Sequence, residues 1–150
     1  MHPFDLKTIV FAKHAQHVVL IHFPIALFIA GVAFDFLAAW RKQRLLAAAA
    51  YYNFFAAALT TIPVLITGIL AWEWQLEGQR LKGILLMHLV AGCVSSALIW
   101  VVWLLHRRAQ QKERGILPGY RLPVEAVAVA LVVLTGHLGG FLSGVNGPSR

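Results

Sequence analysis

Charge is scarce in this sequence. Asp, Glu, Lys and Arg make up 13% of its 150 residues, and only six residues are acidic; a soluble globular domain carries about 25% charged residues. So little charge excludes a disordered tail and an ordinary soluble domain. Cysteine is nearly absent. The one residue, Cys93, rules out an intrachain disulfide framework and a cysteine-based zinc site, and its apolar surroundings make it read as a small core residue. What fills the chain is apolar: 59% hydrophobic residues, with a mean hydropathy of +0.72. The formal charge of +7 and pI near 10.2 would suit a nucleic-acid module, but the basic residues sit between apolar blocks, which is the pattern of basic loops in an integral membrane protein.

Four blocks are free or nearly free of charged side chains. They run over about 18–40 (Asp35 its one charge), 45–72, 83–105 and 124–142. Each exceeds the ~18 apolar residues of a transmembrane candidate, and about 20 residues at 1.5 Å rise cross a ~30 Å hydrocarbon core. Backbone in lipid must satisfy its own hydrogen bonds, so helices are expected. Short connections make sequence neighbours antiparallel, which predicts an all-α, up-down four-helix bundle in the membrane over residues 18–142. Residues 1–17 lack an apolar run followed by a small-residue cleavage site and read as an N-terminal interfacial segment. Residues 143–150 form a C-terminal tail.

Lys and Arg give the orientation. Let X be the side of the N-terminus and Y the opposite side. Side Y holds Arg41, Lys42, Arg44, Arg107, Arg108, Lys112, Arg114 and Arg121; side X holds Lys7, Lys13, Arg80, Lys82 and Arg150. The excess makes Y cytoplasmic and places both termini outside.

Seven histidines are many for so apolar a chain. His2 is terminal, and His106 beside Arg107 and Arg108 reads as solvated at the Y interface. The other five map to side X. His14 and His17 precede the first block, whereas His22, His88 and His137 lie roughly 6–8 Å inside the X boundary at 1.5 Å per residue. Polar side chains at such depth are costly and mark functional sites by default. Imidazole serves as a haem axial ligand or as a transition-metal ligand; interfacial histidines bonded to backbone or headgroups are the plainer alternative.

A flat macrocycle held by two imidazoles needs more than the 8–10 Å between neighbouring helices. His22 and His88, on the first and third helices, suit the diagonal of an up-down bundle, with His137 and His17 in reserve. Gly68 on the second helix and Gly136, Gly139 and Gly140 on the fourth allow close approach to backbone or serve ordinary helix packing. Arg80 and Lys82 can pair with haem propionates or stand as loop charges. The competing chemistry is a bare zinc or copper ion on His22, His88 and His137, with Glu73 or Glu77 adding a carboxylate or lying as loop charges in a Trp72–Trp74 interface belt. His17 and His22 are five apart, about 140° around a helix. Pro24 favours a helix start near Phe23. Asp35 expects a partner in Arg41, Arg44, Tyr51 or Tyr52, or a role in proton relay. There is no catalytic triad, phosphate loop or nucleotide fingerprint, so an electron-transfer subunit fits better than a stand-alone enzyme.

The stretch His17-Val18-Val19-Leu20-Ile21-His22-Phe23-Pro24-Ile25-Ala26-Leu27 resembles the opening motif H-P-x-L-V-H-F-P-I-A-L of a bacterial family of small four-span membrane proteins, domain-of-unknown-function family 2231. Val18 replaces the motif's proline. The resemblance extends to Thr67-Gly68, to His88 and to Thr135-Gly136-His137-Leu138-Gly139-Gly140. After the glycine pair, Phe141-Leu142-Ser143-Gly144 replaces the family's polar, histidine-bearing element. The resemblance implies the four-span topology and, by the company such proteins keep with cytochrome c modules, a redox setting.

Together these expectations describe a b-type haem protein holding one haem, or two, near the X face. It would pass electrons between the quinone pool or a membrane partner and a periplasmic cytochrome or dehydrogenase. The alternatives are a cofactor-free docking subunit of a larger complex, with Trp72, Trp74, Arg80 and Lys82 at its surface, and a zinc- or copper-binding membrane protein. A homo-oligomer is compatible with each.

Overall fold

The computed structural model describes residues 15–111 and 118–144. It contains α1 (Ala15–Leu20), α2 (His22–Arg41), α3 (Arg44–Gln75), α4 (Gly83–Gln111) and α5 (Arg121–Leu142). Helices α1 and α2 form a single first span, because Ile21 keeps helical torsions (φ −59°, ψ −27°) and its N–H reaches the His17 carbonyl at 3.0 Å. Pro24 explains the interruption: it has no N–H for the Leu20 carbonyl, and its ring crowds that turn. The first span thus starts before His17 rather than near Phe23. Up to residue 14 the expected interfacial segment lies outside the described residues; the C-terminal tail does so beyond residue 144.

Four helices are long and apolar enough to cross a membrane, over Gln16–Arg41, Arg44–Trp74, Gly83–Gln111 and Arg121–Leu142. They overrun the uncharged blocks at side Y. Helix α4 continues through Arg107 and Arg108 to Gln111, since Arg, Ala and Gln are good helix formers and Ala109 is buried against the bundle. A two-residue turn joins α2 to α3, with Lys42 in the left-handed region (φ 53°). Each span packs on its sequence neighbours and the first closes on the fourth, which is the up-down bundle the short connections require.

The core is built from Phe28, Ala50, Phe54, Ala57, Ala58, Ile99, Val102, Trp103, Ala128 and Val132. Gly31 makes the closest approach: a Cβ there would stand 2.7 Å from two Phe54 ring carbons. The outer surface is apolar as well, with Phe36, Ile62, Ile66, Val90, Val127 and Val133 exposed. In water such a surface would drive aggregation; around a helix bundle it is the face presented to lipid. Cys93 belongs to this exposed surface rather than to the core. Polar groups inside the bundle gather at two levels, one toward each membrane face, with Thr61, which accepts from Trp100 Nε1 at 3.1 Å, buried between them.

Candidate functional site

At the X level, His17 from α1 and His88 from α4 meet across the bundle diagonal, with ring centroids 6.5 Å apart and planes at 88°. Both rings are anchored through Nδ1. The Thr67 hydroxyl donates its one hydrogen to its own helix, at Pro63 O (2.8 Å) or Val64 O (3.1 Å). Toward His17 it is therefore an acceptor, and His17 Nδ1–H donates to Thr67 Oγ1 at 3.2 Å. His88 Nδ1 stands 3.1 Å from the Thr135 carbonyl, which only accepts. The Thr135 carbonyl can only accept, so it fixes a proton on His88 Nδ1. His17 with its proton on Nδ1 matches the bond Thr67 already makes to its own helix, and each ring then has a lone pair on Nε2 where a metal can bind.

Glycines make room for these rings. A Cβ on Gly68 would lie 3.0 Å from His17 Cε1, and one on Gly139 would lie 3.1 Å from His88 Cε1. Both glycines therefore accommodate the imidazoles themselves. Thr135 is fixed in turn: its hydroxyl donates to Leu131 O at 2.7 Å, so Ser95 Oγ donates to it at 3.1 Å. Ligand-grade histidines elsewhere show this arrangement, with the far ring nitrogen held by a carbonyl or hydroxyl that fixes ring orientation.

The other residues singled out from the sequence are placed differently. His22 is exposed and its Nδ1–H bonds Val18 O of its own helix at 2.7 Å. His137 is also exposed, its ring against Phe141 at 5.0 Å. Among the described residues His22, His88 and His137 do not gather around a common metal-binding point. Equal depth does not ensure a common direction, and here the helix rotation turns the His22 and His137 rings outward. Arg80 and Lys82 are exposed in the connection between α3 and α4 at the same end. Trp72 Nε1 pins that connection by donating to Gln79 O at 2.9 Å. Glu73 and Glu77 are exposed there too.

The Y level holds a site that the sequence reading missed. Asp35 of α2, His106 of α4 and Glu125 of α5 are buried, and one ligating atom from each lies within 4.8 Å of the others. His106 Nε2 and Glu125 Oε1 are 3.0 Å apart, and Arg121 Nε donates to Asp35 Oδ2 at 2.7 Å. His106 is therefore not the solvated residue expected, and Asp35 pairs with Arg121 rather than Arg41, Arg44 or a tyrosine. The basic residues beside His106 suggested solvent, yet Arg107 turns out over the Trp103 ring (5.3 Å) while His106 turns in against Phe54 (4.7 Å). Depth groups this cluster once the helix ends are known. Asp35, His106 and Glu125 lie six, five and four residues inside Arg41, Gln111 and Arg121, about 6–9 Å at 1.5 Å per residue.

A family model of predicted membrane proteins, DUF2231, matches residues 13–147, a stretch that takes in all four spans and both polar levels. Comparison with curated proteins and with solved structures finds no match. The matched stretch covers most of the chain, so this four-span protein belongs to the DUF2231 family of predicted membrane proteins.

Proposed function

We propose that the protein is a membrane-embedded b-type haem protein, or the haem subunit of a complex, that carries electrons near face X with His17 and His88 as axial ligands. The observation that carries this reading is the pair of Nδ1-anchored imidazoles with centroids 6.5 Å apart. Two imidazoles bridged by one metal at about 2.0–2.1 Å from each nitrogen have ring centres roughly 6 Å apart. Gly68 and Gly139 keep the rings from being crowded off that line. A bound haem would supply a one-electron couple; the chain would supply two imidazole ligands and, through Thr67 and the Thr135 carbonyl, their orientation.

His22 and His137 lie outside this pair, at the rim facing lipid or a partner. Arg80 and Lys82, exposed at the same end, are suited to the propionates. The excess of Lys and Arg at side Y supports a periplasmic face X in an inner membrane. Electrons would then pass between the quinone pool, or a membrane partner, and a periplasmic redox protein.

The test is an absorption spectrum of the detergent-purified protein, oxidised and reduced. A sharp Soret band with resolved α and β bands on reduction is expected, lost in H17A and in H88A and kept in H22A and H137A. A protein that stays colourless after haem supplementation overturns the proposal. Stoichiometric zinc or copper in such a colourless protein favours the bare-metal reading, and a metal-free one favours a docking subunit.

A further inference from the structure

The four side chains at the Y level form two pairs with different charge arithmetic. Arg121 and Asp35 cancel: guanidinium and carboxylate meet at 2.7 Å with Asp35 only 1% exposed. His106 and Glu125, 4% and 1% exposed and 3.0 Å apart, cancel only when one proton is shared between them, as imidazolium with carboxylate or as neutral imidazole with carboxylic acid. Without that proton the cluster holds a net negative charge inside a bilayer, where uncompensated charge is expensive. A dication would leave it net positive instead, because Arg121 is already there. Independently, Glu125 Oε2 is buried with no hydrogen-bond partner among the described residues. A carboxyl oxygen so placed is costly to leave unpaired and remains open to a proton.

We propose that this cluster is a proton-binding site that takes up and releases one proton per chain on the His106–Glu125 pair. Uptake forms an N–H or O–H bond on that pair, and release returns the proton to water; no other bond changes. Arg121, at 13% exposure and at the first residue of α5, is the member that reaches the surface, so the route opens toward side Y. The groups around the pair are Asp35 from α2, Arg121 from α5 and, from α3, the Phe54 ring at 4.7 Å from His106. Tyr51 of α3 packs half-buried against the same core, and Arg107 of α4 lies outside, over Trp103. The site is independent of the haem reading: it lies 18 residues along α4 from His88, about 27 Å at 1.5 Å per residue.

The experiment is infrared difference spectroscopy of the full-length protein in proteoliposomes across a pH jump, with a proton count by titration. The expected result is a glutamate carboxyl band and an imidazole band that change together. Side-chain 13C labelling of glutamate should shift the carboxyl band. E125Q should abolish it and lower the proton count by one per chain; H106Q should remove the imidazole band. If E125Q does not fold, the unmodified protein decides through a labelled carboxyl band at the high frequency of a buried, weakly hydrogen-bonded carboxylic acid, which the exposed Glu73 and Glu77 do not give. A pH jump that moves no labelled carboxyl band overturns the proposal. So does a stoichiometric divalent metal that co-purifies with the protein and is lost in H106Q.

Discussion

At face X, His17 and His88 are each held by a neutral partner, a threonine hydroxyl and a helix carbonyl. At the opposite level, Asp35, Arg121, His106 and Glu125 are held by one another. Both arrangements keep polar groups inside a bilayer, but they respond differently to damage. Where each group leans on backbone or on a hydroxyl already bonded to backbone, one loss leaves little unsatisfied. Where charges lean on charges, one loss strands another charge out of water. The first arrangement leaves ring nitrogens available to a ligand; the second leaves a net charge that one proton cancels.

The largest expected effect follows from that contrast. R121A strands the Asp35 carboxylate, 1% exposed, and should cost about 3–5 kcal/mol, the range for breaking a buried ion pair from one side. Denaturant unfolding in detergent measures it, and a cost below about 1 kcal/mol would erase the distinction between the two levels. At the X level, T67V keeps the shape of the side chain and removes the acceptor of His17 Nδ1–H. On the haem proposal, affinity for haem should fall about 10–100-fold, the range for removing a ligand's outer partner, while unfolding changes little. Nitrogen-15 NMR of the His17 ring should show loss of the fixed Nδ1–H tautomer.

Between the two levels, G31A tests packing without polar groups. Its Cβ would meet the Phe54 ring at 2.7 Å, and overpacking of this kind costs about 1–3 kcal/mol; adding F54L should recover part of it. S95A should be the mildest, about 0.6 kcal/mol, the mean for a hydrogen bond between membrane helices. Thr135 keeps its bond to Leu131 O in that variant, so His88 should stay in place.

Much of the fold is legible along the chain and less of the sites. Long uncharged blocks fix the four spans, because a helix in lipid must be apolar along its length and closed in its hydrogen bonds. Depth is legible only where the helix end is, since rise per residue is constant: it put His88 at the X level, but the third uncharged block stops at Leu105, and His106 counts as inside only because the helix runs on to Gln111. Direction is less legible. His22 and His137 share the depth of His88 but face outward, and His17 joins it because the first helix begins earlier than Pro24 suggested. Neighbouring charge misleads as well, as His106 shows: it sits next to Arg107 and faces the opposite way.

The sequence by itself determined that this protein crosses a membrane four times, with short connections and imidazole near one face, since those properties depend on hydropathy and spacing along one dimension. Only the tertiary structure decided which imidazoles meet, which threonines orient them, and that Asp35, Arg121, His106 and Glu125 close into one buried cluster. Those outcomes depend on the rotation of each helix about its own axis, which the helices settle by packing against one another.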